Sequence, residues 1–208
     1  MNKYIISPIL LYLSLSLLPT YAKSFNEGVR AFQQKDFSEA YDIFKTLGSQ
    51  KMPEAKYYLA LMYDQGKGVS KNYSKAAKLY HQAANLGYAE AQYNLSIMFR
   101  TGDGVQKNYN ESVKWARLAA EQGHSEALYY LSGLYELGLG VTANPVMAQT
   151  LKILAAEKSH SLAKKSINHS THLLTDDQLA EARTMAARWH KGKPLPLYKD
   201  FTTLRKLN

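Results

Sequence analysis

EAQYNLSIMFRTGDGVQKNYNESVKWARLAAEQGH, residues Glu90 to His124, decides the fold, because the chain carries this pattern three times. Thirty-six residues earlier stands EAKYYLALMYDQGKGVSKNYSKAAKLYHQAANLGY (Glu54 to Tyr88), and 36 residues later EALYYLSGLYELGLGVTANPVMAQTLKILAAEKSH (Glu126 to His160). The in-phase sets include Ala55/Ala91/Ala127, Leu59/Leu95/Leu131, Tyr63/Phe99/Tyr135, Gly66/Gly102/Gly138, Gly68/Gly104/Gly140, Val69/Val105/Val141 and Ala83/Ala119/Ala155. A fixed period of roughly 20 to 50 residues marks a stacked array whose units bury their apolar faces only against their neighbours.

Within one unit, Ala91, Leu95, Met98 and Phe99 follow the i, i+4, i+7, i+8 spacing of a helix face, and Ser112, Trp115, Ala119 and Ala120 make a second. Each unit is therefore two helices. Gly66, Gly102 and Gly138 fall where the first helix must end and positive φ is cheapest. Asn72, Asn108 and Asn144 take the N-cap place of the second helix, with Pro145 at N1. The Gly-x-Gly-Val between them is a turn with one apolar Val tucked in. Gly66-Lys67-Gly68-Val69-Ser70 is not a phosphate loop, since it lacks the four-residue spacing to a Gly-Lys-Ser/Thr that wraps backbone N–H groups around a phosphate. The small residues Ala60, Ser96 and Ser132, with the Ala-Ala pairs, let the paired helices approach closely.

The pattern A-x-Y-x-L-(small)-x-x-Y-x-x-G-x-G-V, followed by a second helix ending A-A-(E/N)-x-G, resembles the Sel1-like repeat family, a relative of the tetratricopeptide repeats. The resemblance runs from Glu54 to about His160 and implies an all-α, right-handed α-solenoid. It implies a protein or peptide partner on the concave side, where the family's helix register places the first helices: Tyr57, Leu61 and Asp64, then Tyr93, Ile97 and Arg100, then Tyr129 and Glu136. The tyrosine ladder suits peptide contact or inter-repeat packing equally, whereas Asp64, Arg100 and Glu136 differ between units and point to partner reading. Ser159 departs from the pattern in place of the closing Gly, and Gln149 and Lys152 are expected to weaken the third unit's second helix.

The ends read as caps and additions. Residues 1–22 open with the positively charged Met1-Asn2-Lys3, continue with an almost wholly apolar run from Tyr4 to Leu18 and finish at Ala22, the form of a secretory signal peptide. About 15 apolar residues interrupted by Pro8 fall short of the roughly 20 that span a bilayer, so no stable membrane insertion is expected after cleavage. Residues 23–51 read as a tetratricopeptide-like cap with Gly28, Ala31, Phe32, Phe37, Ala40 and Phe44 inward. Repeats follow at 54–89, 90–125 and 126–160. Residues 161–190 make C-terminal capping helices, one N-capped by Thr175 and packing Leu179, Ala182, Met185, Ala186 and Trp189. Residues 191–208 form a basic tail, extended or docked along the last helix.

Composition narrows the chemistry. The 208 residues contain no cysteine, which removes thiol catalysis, thiolate zinc sites, iron–sulfur clusters and disulfides. Without Lys3, 25 basic residues face 17 acidic ones, a formal charge of +8, but they are dispersed, and export removes the usual nucleic acid targets. Ser161-Leu-Ala-Lys164 matches the S-x-x-K of penicillin-recognising enzymes, with no K-T-G or S-D-N to accompany it. Six scattered histidines, His169 and His172 among them, do not make a zinc site, and His124 and His160 read as helix-surface residues closing their repeats. No catalytic residue, metal or cofactor is expected. The expectation is a monomeric periplasmic or secreted interaction module, scaffolding or regulating a cell-envelope machine. An inhibitor masking a periplasm-targeted toxin is the alternative, and a β-lactam-recognising hydrolase a remote one.

Overall fold

The computed structural model describes residues 24–170, 174–189 and 191–195, and the side chains of all of these except 168–170. The signal-peptide expectation for residues 1–22 and the tail beyond 195 lie outside the described residues. So do the side chain of His169 and all of His172.

Ten helices and no strands make up the described residues. Helix α1 covers residues 24–33, and α2 runs Phe37–Ser49. The three units follow as α3 (Pro53–Gln65) with α4 (Tyr73–Asn85), α5 (Ala89–Thr101) with α6 (Tyr109–Glu121), and α7 (Ser125–Leu137) with α8 (Pro145–Glu157). The chain closes with α9 (Ser161–Ser170) and α10 (Asp176–Arg188). From α2 to α9 each of these helices packs on its sequence neighbours, the tightest pairs being α3 with α4, α5 with α6 and α7 with α8, and α10 packs back on α8. This is the near one-dimensional packing of an all-α solenoid.

The local chemistry explains the boundaries. Gly66, Gly102 and Gly138 end the first helices at φ 68°, 90° and 66°. Asn72, Asn108 and Asn144 then accept backbone N–H bonds from the first turns of α4, α6 and α8. The second glycine of each turn has a separate cause. A Cβ on Gly104 would lie 2.2 Å from the Tyr73 carbonyl oxygen, and one on Gly140 2.3 Å from that of Tyr109. Each turn is thus pressed onto the start of the preceding unit's second helix, where only a bare Cα fits. A Cβ on Gly68 would instead run into the Cβ of Phe37 in α2, at 2.4 Å, with the Phe37 carbonyl oxygen at 3.1 Å.

The period reaches beyond the three repeats. Lys51, Gly87, Gly123 and Ser159 stand 36 residues apart and all have positive φ, at 67°, 89°, 80° and 67°. Met52, Tyr88 and His124 follow as N-cap residues of α3, α5 and α7. The cap's second helix is in phase too, its buried Ala40 and Phe44 matching Ala76 and Tyr80 of α4. Between α1 and α2 only residues 34–36 intervene, and Lys35 makes the turn at φ 65°.

Two expectations need correction at the C-terminal end. Gln149 and Lys152 do not weaken α8, which runs the same 13 residues as α4 and α6. Both side chains are buried because α9 and α10 cover α8, and both have partners. Gln149 Nε2 donates to the Ile167 carbonyl at 3.4 Å, and Lys152 pairs with Glu136. The start of the tail, moreover, does not run along α10. After Trp189, residues 191–195 turn back onto α6: the Gly192 N–H donates to the Glu121 carbonyl at 2.8 Å, the Leu195 N–H to Glu121 Oε1 at 2.9 Å, and Arg117 donates to the Leu195 carbonyl. Leu195 is buried there and acts as a clasp. Before it, α10 carries a full capping box at Thr175 and buries Ala182, Met185 and Ala186.

Candidate interaction face

The first helices of the units present one continuous face. Along it Tyr57, Leu61, Tyr93, Ile97 and Tyr129 are half-buried, four residues apart within a helix and 36 residues apart between helices. The outer side of the second helices is different: Lys75, Lys78, Gln82 and Lys114 stand exposed there. Amphipathic rings with one side on the core and one at the surface are what a peptide-contacting strip needs.

Each tyrosine of the ladder leans on the ring that closes its own unit. Tyr57 meets Tyr88 at 5.2 Å between centroids, Tyr93 meets His124 at 5.1 Å, and Tyr129 stacks on His160 at 4.5 Å. His124 and His160 are therefore not surface histidines. The ring Nδ1 of His124 accepts the Ala127 N–H at 3.2 Å, and that of His160 the Ala163 N–H at 3.1 Å, so each opens the next helix in place of a Ser or Asn. Sequence reasoning missed the closing ring, although Tyr88, His124 and His160 stand in phase. Burial pushes the Tyr57, Tyr88 and Tyr93 phenols up, with Glu90 adding to the first two and Glu126 to the third. Burial also holds His124 below its ordinary value, against the opposing pull of Glu126 and Glu90.

The three residues that vary between units are tied within the molecule. Asp64 accepts from the buried Tyr80 hydroxyl at 3.5 Å, and burial raises its carboxyl. Glu136 pairs with Lys152 across the same helix pair, at the positions equivalent to Asp64 and Tyr80. In the middle unit Ala116 replaces that partner, and Arg100 instead lies over the Tyr130 ring, 5.7 Å from its centroid. The Tyr130 hydroxyl is in turn 2.9 Å from Ser112 Oγ. These side chains cross-link helices whatever else they contact.

Of the residues expected at the site, the structure brings Tyr93, Tyr129 and Glu136 together around one open hollow of about 420 Å³, while Tyr57, Leu61 and Asp64 of the first unit and Ile97 and Arg100 of the second do not line it. The hollow's floor includes Gly133, which sequence reasoning passed over. Its signal was a broken row, Leu61/Ile97/Gly133, in the aligned units. A glycine inside a helix costs about 1 kcal/mol relative to Ala. A Cβ there would meet nothing within 4 Å, so packing does not require it. Ser161 and Lys164 sit exposed on the first turn of α9, and neither lines this hollow. Among the described residues no group of three or more His, Asp or Glu side chains could hold a metal ion, and no helix is long and apolar enough to cross a membrane.

Stacked helix pairs at a fixed period, with an aromatic strip along the first helices, define a helical-repeat solenoid of the protein-interaction type. The Sel1 repeat family matches residues 53–88, 89–124 and 125–160, and the chain belongs to that family. It is similar to a Sel1 repeat protein from Oxalobacter formigenes, with 35% identity over 69% of this chain and 59% of that one, and a TM-score of 0.66. It is also similar to c5321, described as a protective antigen present in uropathogenic Escherichia coli strains, with 25% identity over 90% of this chain and 48% of that one, and a TM-score of 0.59. The chain thus spans less than two thirds of the length of either structure. No curated protein matches it. Sel1 repeat proteins are typically protein-interaction modules, and the fold is generally a non-catalytic scaffold.

Proposed function

We propose that the chain is an exported, non-catalytic interaction module that holds a protein or peptide along its first-helix face and scaffolds or regulates a periplasmic envelope machine. The observation that carries the reading is the in-phase row of half-buried Tyr57, Leu61, Tyr93, Ile97 and Tyr129 opposite a lysine-bearing outer side. Export rests on the charged start, apolar run and small-residue end of residues 1–22. The test is fractionation with N-terminal sequencing, followed by pull-down from envelope extracts. A chain beginning at Lys23 in the periplasmic or secreted fraction, retaining the same partner in repeated captures, is the expected result. Retention of Met1 on a cytoplasmic protein overturns the export half, and a neighbouring toxin gene whose product is the captured partner replaces scaffolding by inhibition.

A further inference from the structure

Ala55, Ala91, Ala127 and Ala163 stand 36 residues apart, each at the third position of its helix, α3, α5, α7 and α9. The residue just before each helix differs in chemistry. Met52 and Tyr88 make no side-chain cap bond. His124 and His160 do, the ring Nδ1 of each accepting the alanine N–H at 3.2 and 3.1 Å. An imidazole nitrogen accepts only while the ring is neutral, since both nitrogens are donors once it is charged. The caps of α7 and α9 therefore depend on pH near neutrality, and the starts of α3 and α5 carry no such limit.

One carboxylate serves both rings. Glu126 Oε2 lies 3.4 Å from His124 Nδ1 and accepts the Ser125 hydroxyl at 2.8 Å. Glu126 also lines the hollow that holds His160. Burial raises its carboxyl, but the Ser125 hydroxyl, its own N–H and the charges of His124 and His160 bring it below the ordinary value, which puts both rings within its electrostatic reach. The other charges at the two rings are mixed. Beside His124, Glu90 and Lys191 line a second hollow, and Lys158 and Lys191 both approach Gly123. Beside His160, Glu136 and Lys152 are bonded to each other, and Lys164 follows on α9. The phenols of Tyr93, Tyr129 and Tyr130 complete that hollow, with Arg100 over the Tyr130 ring.

We propose that His124 and His160 are a coupled pair of pH-responsive caps sharing Glu126, which loosen the starts of α7 and α9 and the ring contacts of Tyr93 and Tyr129 as pH falls from about 7 to 5. A ring that takes a proton from solvent turns its Nδ1–H from the cap toward the exposed Glu126, exchanging a neutral bond for a charge-assisted one. The stacking of Tyr93 on His124 and of Tyr129 on His160 belongs to the capping orientation and is lost with it. Tyr57 leans on Tyr88, which has no such proton to gain, so that end of the face stays as it is. The response does not depend on what the face binds, and a failed search for a partner would leave it standing.

The test is an NMR pH titration of the mature full-length protein, read at the Ala127 and Ala163 amides and the Tyr93 and Tyr129 rings. All four signals should move with their own histidine ring between about pH 7 and 5, while Ala55, Ala91 and Tyr57 stay still. Glu126→Gln should lower the midpoints read at Ala127 and at Ala163 together, by about 0.3–0.5 of a pH unit for an exposed carboxylate. His124→Asn keeps a capping side chain, so it should silence Ala127 and raise the midpoint at Ala163 by removing the competing cation; a purely structural cap would leave Ala163 unmoved. Histidine rings that titrate with no movement at Ala127 and Ala163 overturn the proposal. Equal movement at Ala55 and Ala91 overturns it too, by showing a general loosening of the array, and a Glu126→Gln effect confined to Ala127 overturns the coupling.

Discussion

Gly102 and Gly104 are two residues apart in one turn and are glycines for different reasons. Gly102 needs only its φ of 90°, with ordinary space around a Cβ, so Gly102→Ala should cost about 1 kcal/mol. Gly104 has φ 71° and also a backbone carbonyl 2.2 Å from where the Cβ would go. Gly104→Ala should therefore cost about 2–4 kcal/mol, and urea denaturation that ranks the two variants equally would contradict the packing of turn on helix. Ser159 is the converse, a side chain kept at φ 67° where the other units use glycine. Ser159→Gly should stabilise by about 0.5–1 kcal/mol, read as a rise in the denaturation midpoint. His124 adds a pH dependence. Its neutral ring accepts the cap bond and burial lowers its folded-state value, so the unfolded chain takes up protons first and stability falls as pH drops below about 6.5. His124→Asn keeps a capping side chain and should flatten that part of the profile between pH 7 and 5. The glycines, caps and core faces were legible because each has a residue type of its own. The second glycine's role was not, because the collision it avoids involves a residue 31 positions earlier.

At the scale of the helix, α8 shows where reading a unit in isolation goes wrong. Gln149 and Lys152 look like flaws in an amphipathic pattern, but α8 is covered on both sides, and its polar groups are bonded inside. Lys152 has 7% of its side chain exposed and depends on Glu136, which is 36% exposed. Glu136→Ala strands the ammonium and should cost about 1–3 kcal/mol, less than the roughly 3–5 kcal/mol for breaking a fully buried pair, because one partner reaches water. Adding Lys152→Met should recover most of the loss. Arg100→Ala removes only an exposed side chain over Tyr130 and should stay within about 0.5 kcal/mol by thermal melting. A melt in which Glu136→Ala matches Arg100→Ala would mean that Lys152 is not held as described. Periodicity could assign both carriers of charge to one face, but not show that one of them was spoken for.

For the whole molecule, stability is a sum over neighbours, so one core truncation is felt through the array. Leu95, fully buried between α4, α5 and α6, should cost about 2–5 kcal/mol on change to Ala. The clasp of Leu195 on Arg117 and Glu121 ties residues 191–195 to the middle unit, skipping the intervening helices, and this departure from nearest-neighbour packing had no period to announce it. The array itself was legible down to the residue because stacking repeats the same contacts every 36 positions, whereas a binding face is defined by what the array leaves uncovered. Photo-crosslinking addresses that face directly. Benzoylphenylalanine placed singly at Leu61 or Ile97 on the first helices, and at Lys78 or Lys114 on the second, should capture one partner from envelope extracts at the first pair of positions and not at the second. Capture from Lys78 and Lys114 with none from Leu61 and Ile97 would place the binding surface on the opposite side of the solenoid and contradict the account.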